Sequence, residues 1–190
     1  MGGAGDDTLD VDGANITVYG GLGNDDLGPG VLTDNQQADI YGGGGFDTLR
    51  AVGIQLGASI TLDDVRNDRV WSSGSGLNVH SDIEAVTCSS AAHDNFINAS
   101  MVNHRVSLVG SLGNDTLIGG SGSDKLQGSW GNDSLVGNGG TDFINGGIGQ
   151  DFIDAADGVH DVINGSSGQS DRARRDDPLD DVSNVEIFVT

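Results

Sequence analysis

Between Gly110 and Asp154 the chain repeats itself every nine residues, and so short a period leaves few folds open. The five units read GSLGNDTLI, GGSGSDKLQ, GSWGNDSLV, GNGGTDFIN and GGIGQDFID. Each has glycine at places one and four, aspartate at place six and an aliphatic residue at place eight. The aspartates are Asp115, Asp124, Asp133, Asp142 and Asp151; the aliphatics are Leu117, Leu126, Leu135, Ile144 and Ile153. The first six places are turn material, because glycine reaches φ > 0 without a Cβ penalty. The last three hold one inward apolar side chain between variable neighbours, which is the period of a short strand. Two units then make one coil, units eighteen residues apart stack, and no coil buries its aliphatic face alone. An all-β solenoid is expected.

Stacking also brings Asp115 beside Asp133 and Asp124 beside Asp142. Rows of neighbouring carboxylates repel strongly unless something cationic lies between them. The glycine loops, including Gly113, Gly122, Gly131, Gly140 and Gly149, turn bare carbonyls toward the same space. Carboxylate and carbonyl oxygens, with few or no His or Cys ligands, suit a hard cation that tolerates irregular geometry. That is Ca²⁺ rather than Mg²⁺ or Zn²⁺.

GGSGSDKLQ and GGIGQDFID match the pattern G-G-x-G-x-D-x-U-x, and in this the chain resembles the RTX (hemolysin-type) calcium-binding repeat family. The resemblance implies a right-handed parallel β-roll with Ca²⁺ held between successive turns on each side. It also implies export by a type I secretion machinery and folding outside the cell. Ser111, Ser129 and Asn138 replace the second glycine, at a place where turns tolerate Ser and Asn.

Composition narrows the rest. With 29 acidic residues against 8 Lys and Arg, a formal charge of −21, nucleic acid and anionic membrane surfaces are excluded as partners. The 33 glycines, two prolines and 5% aromatics, with no G-X-Y period, exclude collagen and argue against a conventional packed core. Such a chain folds poorly without counter-ions, so cation binding and folding should be coupled. Cys88 is alone, which leaves no intramolecular disulfide. No run reaches membrane-helix length, and no Sec-type signal is visible. Met1 opens directly onto GGAGDDTLD, which suggests an excised fragment.

The chain divides into residues 1–50, degenerate repeats; 51–109, a longer-stranded insert and degenerate coils continuing the stack; 110–154, regular repeats; and 155–190, degenerate repeats with a capping strand. Asp7, Asp25 and Asp47 stand in phase in the first block, whereas VDGANITVY keeps Val18 at place eight but has Ile16 for the aspartate. Asp34 and Asp39 fall where the phase slips and read as solvated loop carboxylates. In DIEAVTCSSAAHDNFINAS, Asp94 and Phe96 take places six and eight. After Asp154 the unit stretches to ten and places Asp161 with Ile163, then Asp171 with Ala173. Stacked pairs suggest on the order of four to six Ca²⁺.

The competing readings are weaker. His80, His93, His104 and His160 read as surface groups, and no HExxH helix or GxSxG elbow supports catalysis. Arg172, Arg174 and Arg175, interleaved with Asp171, Asp176 and Asp177, read as a solvated salt-bridged loop. Trp71 and Trp130 are candidates for stacking on sugars. Glu186-Ile-Phe-Val-Thr190 reads either as a terminal export signal or as a capping strand. The leading expectation is a monomeric, non-catalytic, calcium-folded module of a larger secreted bacterial protein. The alternatives are an adhesin segment that meets surface glycans and a polysaccharide-active solenoid.

Overall fold

A computed structural model describes residues 1–11, 16–29, 37–51, 58–63, 69–70, 76–88, 93–168, 170–176 and 178–189. Short strands and tight loops alternate throughout. β1 (Gly3–Ala4), β2 (Thr8–Val11), β3 (Ile16–Leu22), β4 (Asp26–Pro29), β5 (Gln37–Gly44) and β6 (Thr48–Ala51) come first. β7 (Ala58–Thr61), β8 (Arg69–Val70), β9 (Gly76–Val79), β10 (Ala85–Cys88) and β11 (Phe96–Asn98) follow. The regular repeats form β12 (Ser107–Leu112), β13 (Thr116–Ile118), β14 (Lys125–Trp130), β15 (Ser134–Val136), β16 (Phe143–Gly149) and β17 (Phe152–Asp154). β18 (Val162–Gly168), β19 (Arg172–Arg174), β20 (Asp181–Ser183) and β21 (Ile187–Phe188) end the order.

Apart from β7, β8 and β9, which share one wall, successive strands fall on alternate walls of a parallel β-roll. One wall is a nine-stranded sheet, β2-β4-β6-β10-β12-β14-β16-β18-β20. The other consists of β1-β3-β5-β9 and β8-β7-β11-β13-β15-β17-β19-β21, joined by a bridge between Leu62 and Val79. Thr116 pairs with Ser134 and Lys125 with Phe143, eighteen residues apart; Phe143 pairs with Val162 and Phe152 with Arg172, where the unit has stretched. Among the described residues all pairings are parallel except β7 with β8. Place eight points inward along both walls. Leu27, Leu49, Val86, Leu108, Leu126, Ile144 and Ile163 line one wall, and Ile40, Ile97, Leu117, Leu135, Ile153 and Ala173 the other, each fully buried.

The region without nonamers departs from strict order. β9 lies beside β5, whereas β7, earlier in sequence, lies beside β11. The chain thus skips a rung and returns to fill it. Two assignments made from the sequence alone shift here. Place six of the degenerate unit is Asn95, not Asp94, and place eight is the buried Ile97, not Phe96, because Phe96 pairs with Thr116. Asp39 is not a solvated loop carboxylate: it lies in β5, paired with Thr17 and Asn78, and is only 8% exposed. Asp34, Asp64, Arg66 and Trp71 lie outside the described residues.

Candidate metal-binding ladders

A turn into a short strand aims place six inward and back along the stack, so these side chains form two rows, one along each loop edge. Along the edge leading into β12, β14 and β16, a backbone N–H of one coil donates to a carboxylate oxygen of the next. Asp7 N–H donates to Asp25 Oδ1 (2.9 Å), Asp25 to Asp47 Oδ1 (2.8 Å) and Asp47 to Glu84 Oε2 (2.7 Å). The row resumes with Val106 N–H to Asp124 Oδ1, Asp124 to Asp142, Asp142 to Asp161 and Asp161 to Asp180, at 2.7–3.0 Å. Along the other edge the order is Asn95, Asp115, Asp133, Asp151, Asp171 and Glu186, with bonds of 2.7–2.9 Å.

One oxygen of each carboxylate after Asp7 is thereby committed. The other is not. Oδ2 of Asp7, Asp25, Asp47, Asp115, Asp133, Asp142, Asp151, Asp161 and Asp171 is buried with no hydrogen-bond partner. A buried charged oxygen left unpaired is costly, which makes it a demand for a cation or a proton. Burial, partly offset by the backbone N–H bond, pushes Asp133 up to about 7 and Asp142 up to about 8. The neighbouring carboxylates on the row push both further in the same direction. Asp115, Asp151 and Asp161 rise to about 6, chiefly by burial.

Place-one glycines create the space. A Cβ at Gly128 would stand 2.2 Å from Asp133 Oδ2 and 2.5 Å from the Gly146 carbonyl oxygen, so orphaned carboxylate and stacked carbonyl share one small volume. Among the described residues no three Asp, Glu, His or Cys side chains converge on a point. A cation here would draw most of its ligands from backbone carbonyls, a donor set that suits Ca²⁺ and not Zn²⁺.

The expected residues are not all equivalent. Asp124 differs from its neighbours because its Oδ2 accepts the Gly120 N–H at 2.6 Å, and the coil before it has Val106 in place of a carboxylate. Gly113, Gly131, Gly140 and Gly149 have positive φ, whereas Gly122 does not. Several residues join the rows unannounced. Glu84 and Glu186 reach the place an aspartate would fill with one more carbon, and Asp82 accepts N–H groups of Gly42 and Gly43. A third ladder runs outside the second: Asn114 N–H donates to Asp94, Asn132 to Asn114 and Gln150 to Asn132. Its signal was the asparagine at place five of the GND units. Asp171 is buried in its row and Arg174 pairs with Asp154 from β19, so the arginine-rich segment is a strand and not a solvated loop. His80 stacks on Tyr41, and His104 Nε2 lies 2.9 Å from the Ser81 carbonyl oxygen; neither is a loose surface group.

The RTX calcium-binding nonapeptide repeat, of the hemolysin type, matches this chain in four copies, over residues 1–27, 109–144, 127–159 and 136–169. These repeats belong to the RTX calcium-binding family. No curated protein matches the chain. The RTX match covers the regular repeats and the first coil. The same ladder geometry continues beyond it through Asp47, Glu84 and Asn95, and at the other end through Asp180 and Glu186.

Proposed function

We propose that this chain is a calcium-folded structural module of a secreted protein. The observation that carries the reading is the double row of carboxylates, in which Asp25, Asp47, Asp115, Asp133, Asp142, Asp151, Asp161 and Asp171 each have one oxygen fixed by a backbone N–H and the other buried and unpaired. Ca²⁺ between stacked loops would be held by Asp7, Asp25, Asp47, Asp115, Asp133, Asp142, Asp151 and Asp161 with carbonyls of Gly113, Gly122, Gly131, Gly140 and Gly149. Asp124 takes the smallest part, since its second oxygen already has a partner. Where free Ca²⁺ is scarce, repulsion along the rows keeps the chain unfolded; where it is abundant, binding supplies folding free energy. Export by a type I machinery, folding outside the cell and a monomeric, non-catalytic role rest on the RTX resemblance.

Isothermal titration with Ca²⁺ and, separately, Mg²⁺ tests the metal assignment. Several Ca²⁺ should bind per chain, Mg²⁺ more weakly, and Asp133→Asn should lower the Ca²⁺ stoichiometry. Equal binding of both ions, or an unchanged stoichiometry in the variant, contradicts it.

A second reading, a stiff surface segment that meets glycans, draws on one observation. Leu112, Trp130 and Ile148 pair in register and are 38%, 57% and 43% exposed, an apolar stripe along one loop edge.

A further inference from the structure

At one coil the residues do not fit the ion. Elsewhere a place-six carboxylate and the place-one carbonyl of the next coil meet as two oxygens: Asp133 Oδ2 with the Gly146 carbonyl, and Asp25 Oδ2 with the Gly42 carbonyl. Asn95 holds place six of its coil, is 3% exposed, and presents a donor where those aspartates present Oδ2. Its Nδ2 donates to the Gly110 carbonyl (3.1 Å), the equivalent place-one group, and to Asp115 Oδ1 (2.8 Å). The His93 carbonyl oxygen lies 3.1 Å from the same nitrogen. All three neighbours are acceptors, so the amide nitrogen and not its oxygen faces them. Hydrogen bonds close this rung without an ion.

The other edge of the coil is closed differently. Val106 stands at place six, fully buried, and only its N–H enters the row. His104 reaches back to the previous coil, with Nε2 2.9 Å from the Ser81 carbonyl oxygen and Nδ1 3.2 Å from that of Arg105. Burial raises the carboxyls of Glu84 and Asp124 on either side, the backbone N–H each accepts lowers them, and His104 lowers both as well. Arg105 adds to this at Asp124. Asp124 also has its second oxygen satisfied by the Gly120 N–H at 2.6 Å. Inside the coil, Ile97, Ala99, Val102 and Val106 are at most 3% exposed.

We propose that residues 93–106 form a metal-independent rung, which divides the roll into two blocks that load Ca²⁺ separately. The inference rests on the calcium-folded reading, which supplies the ions on either side. Before the rung the row of carboxylates runs along one edge: Asp7, Asp25, Asp47 and Glu84. On the opposite edge the register puts Ile16, Ala38 and Leu77, none with a side-chain oxygen, two places before the buried Val18, Ile40 and Val79. After the rung both edges carry carboxylates, from Asp115 to Asp171 on one and from Asp124 to Asp180 on the other. An ion held between stacked loops couples them, because neither loop holds it alone. Across the Asn95–Val106 coil that coupling is missing. Strand pairing, β10 with β12 and β7 with β11, and the shared apolar interior are what join the blocks. The later block, with two rows, folds at lower Ca²⁺ than the earlier block with one.

Hydrogen–deuterium exchange read by mass spectrometry, over a series of buffered Ca²⁺ concentrations, tests the division on the unaltered chain. Peptides from 37–51 and from 107–168 should gain protection at midpoints at least about fivefold apart in free Ca²⁺, the later block first. Isothermal titration with Ca²⁺, with circular dichroism to report folding, then compares variants at Asn95. Asn95→Asp restores the facing pair of oxygens, so it should raise the ion count by about one and bring the two midpoints within about twofold. Asn95→Ala should weaken the calcium-loaded fold but leave the ion count unchanged, unlike Asp133→Asn. A common midpoint or the reverse order in the unaltered chain, an unchanged count in folded Asn95→Asp, or a lower count in folded Asn95→Ala overturns the proposal. If the Asn95 variants do not fold, the midpoints of the unaltered chain decide alone. Equal protection in chelator and in Ca²⁺ would instead overturn the calcium reading, and this inference with it.

Discussion

Gly128 and Gly158 show how differently the same residue type is used. A Cβ at Gly128 meets Asp133 Oδ2 at 2.2 Å, whereas at Gly158 (φ +91°) nothing stands within 4 Å. Gly128→Ala should therefore cost more than ~2 kcal/mol and weaken calcium binding by displacing its own aspartate. Gly158→Ala should cost only the left-handed strain of ~1–2 kcal/mol. Thermal unfolding of the calcium-loaded variants checks the order, and equal losses would refute it. The aspartates themselves predict a pH dependence. Asp133 and Asp142 have folded values raised to about 7 and about 8 from an ordinary 3.8, so the metal-free fold binds protons more tightly than the unfolded chain. Their favourable contribution is full below the unfolded value and is lost as pH rises through about 6 to 8. In chelator the chain should gain strand signal between about pH 8 and about pH 5, and calcium affinity should fall over the same range as protons compete. A metal-free spectrum independent of pH would count against it.

At the scale of the coil, hydrophobic and ionic contacts differ sharply in weight. Leu135 is fully buried between Leu117 and Ile153 on neighbouring rungs, and Leu135→Ala should destabilise the calcium-loaded roll by ~2–5 kcal/mol. Arg50 spans coils to reach Asp10 and Asp26, but its side chain is 32% exposed and theirs 68% and 43%. Arg50→Gln should cost under ~1 kcal/mol. Chemical denaturation of the two variants compares them directly; similar losses would contradict this ranking. The strands of the regular repeats were legible because place six and place eight carry separate chemical signatures at a fixed spacing. Asn95 was misplaced by one residue because Asp94 offered the expected carboxylate, while the register is set by Ile97 entering the core. Glu84 and Glu186 escaped the pattern because a longer side chain fills the same position from a different spacing.

Over the whole molecule, a stacked solenoid followed from the period, since neither wall can be buried without coils above and below, and the parallel roll followed from the RTX resemblance. What the period could not convey was the order of strands where it lapses. β7 and β9 exchange places because nothing in alternating apolar residues says which rung a strand joins.

The central claim is that Ca²⁺ supplies the missing partners of the buried carboxylates and so drives the fold. Far-UV circular dichroism of the metal-free chain near neutral pH, titrated with Ca²⁺ to millimolar concentration, tests it most directly. The account predicts a disordered spectrum in chelator and a cooperative rise in strand signal as Ca²⁺ is added. The same strand content with and without Ca²⁺ would contradict it.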